Sequence, residues 1–451
     1  MSTARHSGKA SGGELEERID LTEETTTKIA QAQSLPDLSS ALTLLFALEK
    51  KCRVGNDASS LVRVCEACLQ LCRDHSDEEA LLNTLKSLST KRSQKSKAIS
   101  SLVQKASPWA VQDDGYTPIA VSNDKEKEVR EKLIVTLRDI TDGKMFLEAE
   151  RARLTRALAI IKEEEDKIGE ASDILQEVHV ETYGSLAKRE KVEFILEQMR
   201  LTLAKKDYIR SHIVSNKIQK KVINEENMQE EKIKYYGLVS EYHMHEKDAF
   251  QLAQDYHQIY STKIIQENET KWKEALECTV LFLVLSPYSN EQQDMMNRLS
   301  LDPKLESMDA CRETIKLLLR KEIIAFPTPH QSHFESLAIF QSSDPNHWTK
   351  IFKTRIIQHN IRIAALYYRR IHGKRLAQLL NLDPGMLEEQ VSNMVSDGSI
   401  YARIDRPSDI IRFAQAKTPE ETLSDYASDI KSLLFLVEKT THLIHKENMT
   451  Q

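Results

Sequence analysis

Apolar side chains along residues 38–50, 57–74 and 78–106 return every three or four positions, which places them on one face of successive α-helices. The stretch 107–124 breaks the pattern with two prolines and clustered polar residues, and predicts a loop or hinge. Helical periodicity resumes at Lys125 and runs, interrupted by short turns, to about Arg320. Residues 321–347 hold three prolines and several histidines and predict an irregular connector. Strand-like alternation is essentially absent up to this point.

From Asn360 the pattern changes. NIRIAALYYRR reads as a helix and KRLAQLLNL as a second; a turn at Asp383-Pro384-Gly385 leads into a third, MLEEQVSNMVSDG, and then the ribbon IYARIDRPSDIIRF. Helix, helix, turn, helix and two short strands is the layout of a helix-turn-helix with a wing. A polar turn, AQAKTPEE, then precedes a last helix from about Glu420 to Glu447. Its Ile430, Leu433, Leu434, Val437 and Ile444 share one stripe, with Leu436 and Leu443 beside it. That stripe has no later segment to cover it and predicts a partner.

A weak repeat runs through the long helical region. Glu170, Asp207 and Asp248 each stand at the opening of an amphipathic helix, 37 and 41 residues apart. Spacings in that range suit two-helix solenoid repeats whose surfaces act as docking faces. The expected organisation is a disordered tail at 1–20, a TPR-like solenoid over 21–320, a connector over 321–347, a winged helix over 348–416 and a terminal assembly helix over 417–451. The fold class is mainly α.

Charge decides what the winged module can bind. Between Arg375 and Arg403 there is no lysine or arginine, while Asp383, Glu388, Glu389 and Asp397 line or flank the third helix. A DNA reader draws most of its affinity from phosphate neutralisation and reads guanine edges with Arg or Lys. The third helix therefore points to protein, and Arg403, Arg406 and Arg412 in or beside the wing allow only a weak low-salt attraction to nucleic acid. A net charge of −6 with both signs interspersed supplies no global field for nucleic acid or anionic membrane. The N-terminal residues lack the apolar stretch of a signal peptide, and the strongly apolar run 279–285 is too short to span a bilayer. Cytoplasm and nucleus are the expected locations.

Glycine is scarce, at 12 residues, and no GxGxxG, GxxxxGK[ST] or GxSxG occurs, which removes the commonest nucleotide loops and the serine-hydrolase elbow. Cys65, Cys68 and Cys72 with His75 are the best metal candidate by composition. On one helix, however, positions 65 and 72 lie about 10 Å apart along the axis, whereas thiolates on one zinc must sit roughly 4 Å from each other. Because Leu61, Cys65, Cys68, Leu69 and Cys72 form an apolar stripe, the thiols read as core. The six cysteines show no disulfide framework.

His243 and His245 are two apart on a helix and cannot converge. His330 and His333 lie in the connector without an evident carboxylate pair. The run 163–166 reads as a solvated helix end, and the basic patches at 187–191 and 205–207 are too short for a nucleic-acid footprint. No catalytic constellation stands out, so no enzyme activity, cofactor or metal is expected.

Several segments carry a family resemblance: GKMFLEAERARLTRALA (143–159), VETYGSL (180–186), KVEFILEQMRLTLAKKDYIR (191–210), LSPYSNEQ (285–292), HNIRIAALYY (359–368), KRLAQLLNL (374–382) and KTTHLIHKE (439–447). Together they resemble the PCI-domain lid subunits of the 26S proteasome regulatory particle, in matching order over roughly 125–320 and 348–448. The N-terminal hundred residues agree mainly in helical pattern, and 321–347 departs from the family. A related PCI subunit of the COP9 signalosome is the alternative, although VETYGSL and VEFILEQMRL look lid-like. A nucleic-acid-binding winged helix is the more distant one.

The resemblance implies a non-catalytic scaffold that supports degradation of ubiquitinated proteins. It also implies partners: other PCI lid subunits, the MPN deubiquitinase subunits, the ATPase ring and the outer ring of the core particle. Winged helices of the family pack side by side, which assigns Ile400, Tyr401, Arg403 and Ile404 to an interacting strand. Terminal helices gather in a bundle, which assigns Ile430, Leu433, Leu434, Val437 and Ile444 to a helical interface.

Overall fold

A computed structural model describes residues 21–35, 37–112, 115–120, 123–330, 333–334, 337, 345–414 and 418–449. The expected tail at 1–20, the turn at 415–417 and much of 331–344 lie outside the described residues. The chain divides into two compact units, Met1–His245 with Thr262–Ile264, and Glu246–Ser261 with Ile265–Gln451.

The first unit is helical: α1 (Thr22–Ser34), α2 (Leu38–Val54), α3 (Ala58–Asp74), α4 (Glu78–Thr90), α5 (Ser96–Ala106), α6 (Asp124–Thr141), α7 (Glu148–Glu164), α8 (Ile168–Gln176), α9 (Lys188–Ala204), α10 (Tyr208–Ser215), α11 (Lys220–Ile223) and α12 (Gln229–Glu246). Chain neighbours pack together, as in α2 on α3, α7 on α8 and α9 on α10, which is the pairing of a helical-repeat solenoid. The period-3.6 stripes meet in one core running from Ala32 to Ile161. The described part of the expected loop at 107–124 is fastened by a bridge between Val111 and Pro118, with Ala110 and Val111 buried.

One turn design recurs between helices. A residue in the left-handed region (Asn56, Ser76, Asp166, Lys206 or Lys247) precedes the first residue of the next helical entry. The amides of Asp57, Asp77, Lys167 and Asp207 donate back to the carbonyls of Cys52, Cys72, Lys162 and Thr202 at 2.9–3.2 Å, closing the preceding helix by a six-residue return. Asp57, Asp77, Asp207 and Asp248 then cap the next helix by accepting its free amides. This corrects the expected repeat at its first member. Glu170 lies inside the first turn of α8, and the equivalent of Asp207 and Asp248 is Lys167. Ion pairs repeat with the same rhythm: Arg153–Glu190, Arg200–Glu163 and Lys188–Glu225 each join residues 37 apart.

The second unit holds α13 (Ala249–Tyr260), α15 (Glu269–Leu285), α16 (Asn290–Ser300) and α17 (Asp309–Leu319), while α14 (Lys263–Glu267) is divided between the two units. α13 packs on α15, and Tyr256 stacks on Phe282 with ring centres 5.6 Å apart. The winged module follows: α18 (Pro345–Tyr367), β1 (Arg370–His372), α19 (Gly373–Leu380), α20 (Pro384–Ser396), β2 (Arg403–Asp405) and β3 (Ile410–Arg412). The sheet has three antiparallel strands in the order β1-β3-β2, one more than the ribbon read from the sequence. Ile361, Leu376, Leu387, Val391, Met394 and Ile411 form its core. The last helix is α21 (Pro419–Met449).

Candidate functional site

The recognition position of the winged module is α20. Asp383 caps it by accepting the Gly385 amide at 3.2 Å, and Pro384 supplies the pre-set first turn. Leu387, Val391 and Met394 face inward, leaving Met386, Glu389, Ser392, Asn393 and Val395 outside. Arg406 of the wing turn is held by Glu388, Nε to Oε1 at 2.6 Å, so one of the three wing arginines is already neutralised inside the module. The wing tip is also tied down. Asp409, at φ 50°, accepts the Gly373 amide on its carbonyl and the Lys374 amide on its carboxylate, at 3.0 and 3.2 Å. A Cβ on Gly373 would meet that carboxylate at 2.6 Å, so a larger residue there would have to displace the Asp409 side chain.

The expected strand 400–404 begins later than the sequence suggested. Pairing starts at Arg403, opposite Arg412, and Ile404 faces Ile411. Ile400 and Tyr401 precede the ladder because β3 is three residues long, and beyond it the Phe413 amide turns to the Arg369 carbonyl on the other side. Ile400, Ala402 and Ile404 still pack toward the module core, while Tyr401 is 43% exposed. β2 is an edge strand, as is β1.

Beside Ile400 and Tyr401 lies a groove of about 560 Å³, to which Tyr288, Arg362, Leu366 and Phe413 also contribute. Among the described residues no carboxylate lines it. The Arg362 guanidinium lies 3.7 Å from the Tyr288 ring centre, and burial pushes it down to about 10. Burial, helped by the Arg362 charge, holds His359 near 4 and therefore neutral.

α21 is the most exposed element. It has no buried residue over its 31 positions, and the side chains of Ile430, Leu433, Leu434, Val437 and Ile444 are between 42% and 62% exposed. Soluble proteins rarely leave a contiguous apolar stripe of this kind uncovered.

The other sequence candidates resolve as structure. Cys65, Cys68 and Cys72 are fully buried on α3, and burial pushes the Cys65 thiol up to about 12. His245 stacks on Tyr208 at 3.6 Å. His330 and His333, read as having no carboxylate pair to support a metal, each meet one carboxylate, Glu313 and Glu277, both at 2.6 Å and on different helices. The acidic run is not merely a solvated end, since Glu163 holds Arg200 through both oxygens at 2.6 and 2.7 Å. The basic patch at 187–191 is likewise paired, Lys188 with Glu225 and Arg189 with Glu231. Among the described residues no group of three or more His, Cys, Asp or Glu could hold a metal ion, and no helix is long and apolar enough to cross a membrane.

Three family models match the chain. Residues 40–268 match the N-terminal family of PSMD12/CSN4, 330–415 the PCI domain, and 420–451 the C-terminal domain of the 26S proteasome regulatory subunit RPN5. Saccharomyces cerevisiae 26S proteasome regulatory subunit RPN5 is 35% identical over 92% of the chain and 92% of that protein. The 26S proteasome non-ATPase regulatory subunit 12 of Dictyostelium discoideum is 35% identical over 91% of the chain and 90% of its own length. For the Arabidopsis thaliana homolog B of that subunit the identity is 35%, over 91% and 97%.

Proposed function

Since the chain belongs to the RPN5/PSMD12 family of 26S proteasome regulatory subunits, we propose that it is a non-catalytic scaffold of the regulatory-particle lid. The N-terminal family is shared with the signalosome subunit, but the C-terminal one is named for the proteasomal subunit alone, which favours the lid over the signalosome. The exposed face of α20, which carries Glu389 and no lysine or arginine, and the Glu388–Arg406 pair count against a nucleic-acid reader.

The observation that carries the reading is α21, a 31-residue helix without a buried side chain. Ile430, Leu433, Leu434, Val437 and Ile444 are about half exposed, so burying the rest of each is worth on the order of 1 kcal/mol before the costs of association. A helical bundle shared between subunits is the arrangement that collects this energy from such a stripe. A second docking element is β2, whose open edge offers backbone groups to a neighbouring strand, with Tyr401, Arg403 and Ile404 setting the fit. The partners are other PCI lid subunits through β2 and the lid bundle, including the MPN deubiquitinase subunits, through α21. Contacts with the ATPase ring and the core-particle outer ring complete the proposed set. The subunit thus positions isopeptidase chemistry performed elsewhere.

The test is native electrophoresis of the tagged chain from its own cells, with identification of the co-migrating proteins. The expected result is migration with the 26S regulatory particle. A chain that runs with the signalosome, or alone, would overturn the reading.

A further inference from the structure

The winged module carries a row of three arginines on the open face of its sheet. Register places Arg370 of β1 opposite Arg412 of β3, and Arg412 opposite Arg403 of β2. All three are exposed, while the adjacent row, Ile371, Ile411 and Ile404, turns toward the core. None of the three has an ion-pair partner among the described residues. Like charges directly opposite one another destabilise a sheet. Three abreast in a chain of net charge −6 are a local cost that a bound anion would remove.

We propose that this face receives an acidic helix of a partner polypeptide, with carboxylates on successive turns meeting Arg370, Arg412 and Arg403. The spacings agree. Neighbouring strands stand about 4.8 Å apart, and helix positions i and i+4 are separated by about 6 Å, a difference that long arginine side chains absorb. A helix suits the position because a sheet face, unlike its edge, has no free backbone groups for an incoming strand, and a helix satisfies its own. Arginine at all three positions favours carboxylate forks over diffuse attraction. Asp405 lies on the same face in the next row, beside Ile410 and His372. A continuous phosphate backbone would run against that carboxylate, whereas a peptide helix can place an apolar side chain on Ile410. This face shares Arg403 with β2 but offers side chains and not the backbone edge, and it is separate from α21.

The probe is a fluorescent alanine-rich peptide with glutamates at i, i+4 and i+8, titrated against the full chain at about 0.15 M salt. The controls are its glutamine counterpart and a single-stranded oligonucleotide. The glutamate peptide is expected to bind and the glutamine peptide is not. Arg412→Glu should weaken binding about tenfold or more, as loss of a charge-assisted pair implies. Arg412→Lys should lose part of the affinity. Arg412→Gln should melt no lower than the unaltered chain, because a repulsion is relieved, and this shows that the sheet survives substitution. Four outcomes would overturn the proposal: no binding of the glutamate peptide, equal binding of both peptides, tighter binding of the oligonucleotide, or indifference to Arg412→Glu. The proposal would also fall if the peptide bound only once Asp425→Asn and Asp429→Asn were introduced. The occupant would then be the chain's own α21, whose Glu421, Asp425 and Asp429 share the i, i+4, i+8 spacing.

Discussion

Burial holds the His359 imidazole neutral, near 4 instead of 6.5, and the neighbouring Arg362 charge adds to the effect. The unfolded chain therefore binds a proton that the folded chain refuses between these values. Stability from this site is complete above pH 6.5 and declines as pH falls toward 4, a span on the order of 3 kcal/mol. His359→Gln should flatten the pH dependence of urea unfolding between about pH 6.5 and 5, where few carboxylates titrate. A slope unchanged by the substitution would contradict the burial argument. The thiols of α3 allow a second check at this scale. Cys68 is fully enclosed and its thiol is raised well above the ordinary range, so native alkylation followed by mass spectrometry should leave it unmodified. Cys68→Ala should cost about 1–3 kcal/mol through lost apolar volume. The core role of these thiols was legible because their spacing follows one helix face. The partners of His330, His333 and Glu163 were not, since Glu313, Glu277 and Arg200 are distant in sequence and only the packing of helices brings them close.

At the scale of elements, the helices and the α21 stripe announced themselves through long apolar periods. β1 did not, because its three residues follow Tyr367-Tyr368-Arg369 and read as the continuation of α18. Nor did the position of β2, which depends on how far β3 extends and hence on register. The turns between solenoid helices were half legible: aspartates at Asp207 and Asp248 marked helix starts, but the left-handed residue before them has no fixed identity. Lys206 has φ 63° and is exposed, so Lys206→Gly should be neutral or stabilising. Lys206→Val should lower stability by about 1–2 kcal/mol, as a β-branched side chain resists that conformation. Equal melting of the two variants would refute this account of the turn. For α21, a helix without a buried residue draws mainly on propensity. Its amides should exchange rapidly with deuterium in the free chain and slow strongly on assembly, while those of α3 and α9 stay protected in both states. Strong protection of α21 in the free chain would mean that the stripe is covered internally.

Taken whole, the chain has helices paired on neighbours, a compact winged module with Arg406 of its turn neutralised, and one long amphipathic helix whose apolar stripe is exposed. The family match extends over all three regions. The role proposed for α21 is that of an interface and not of a misplaced piece of core. Leu433→Asp with Val437→Asp would put two carboxylates without partners into a bundle interior. The measurement is co-purification of lid subunits with the tagged unaltered chain and with this double variant, beside circular dichroism of each chain alone. The free chains are expected to have equal helical content and melting, with lid subunits recovered on the unaltered chain and lost from the variant. Normal recovery on the variant, or a variant chain that unfolds by itself, would contradict this role.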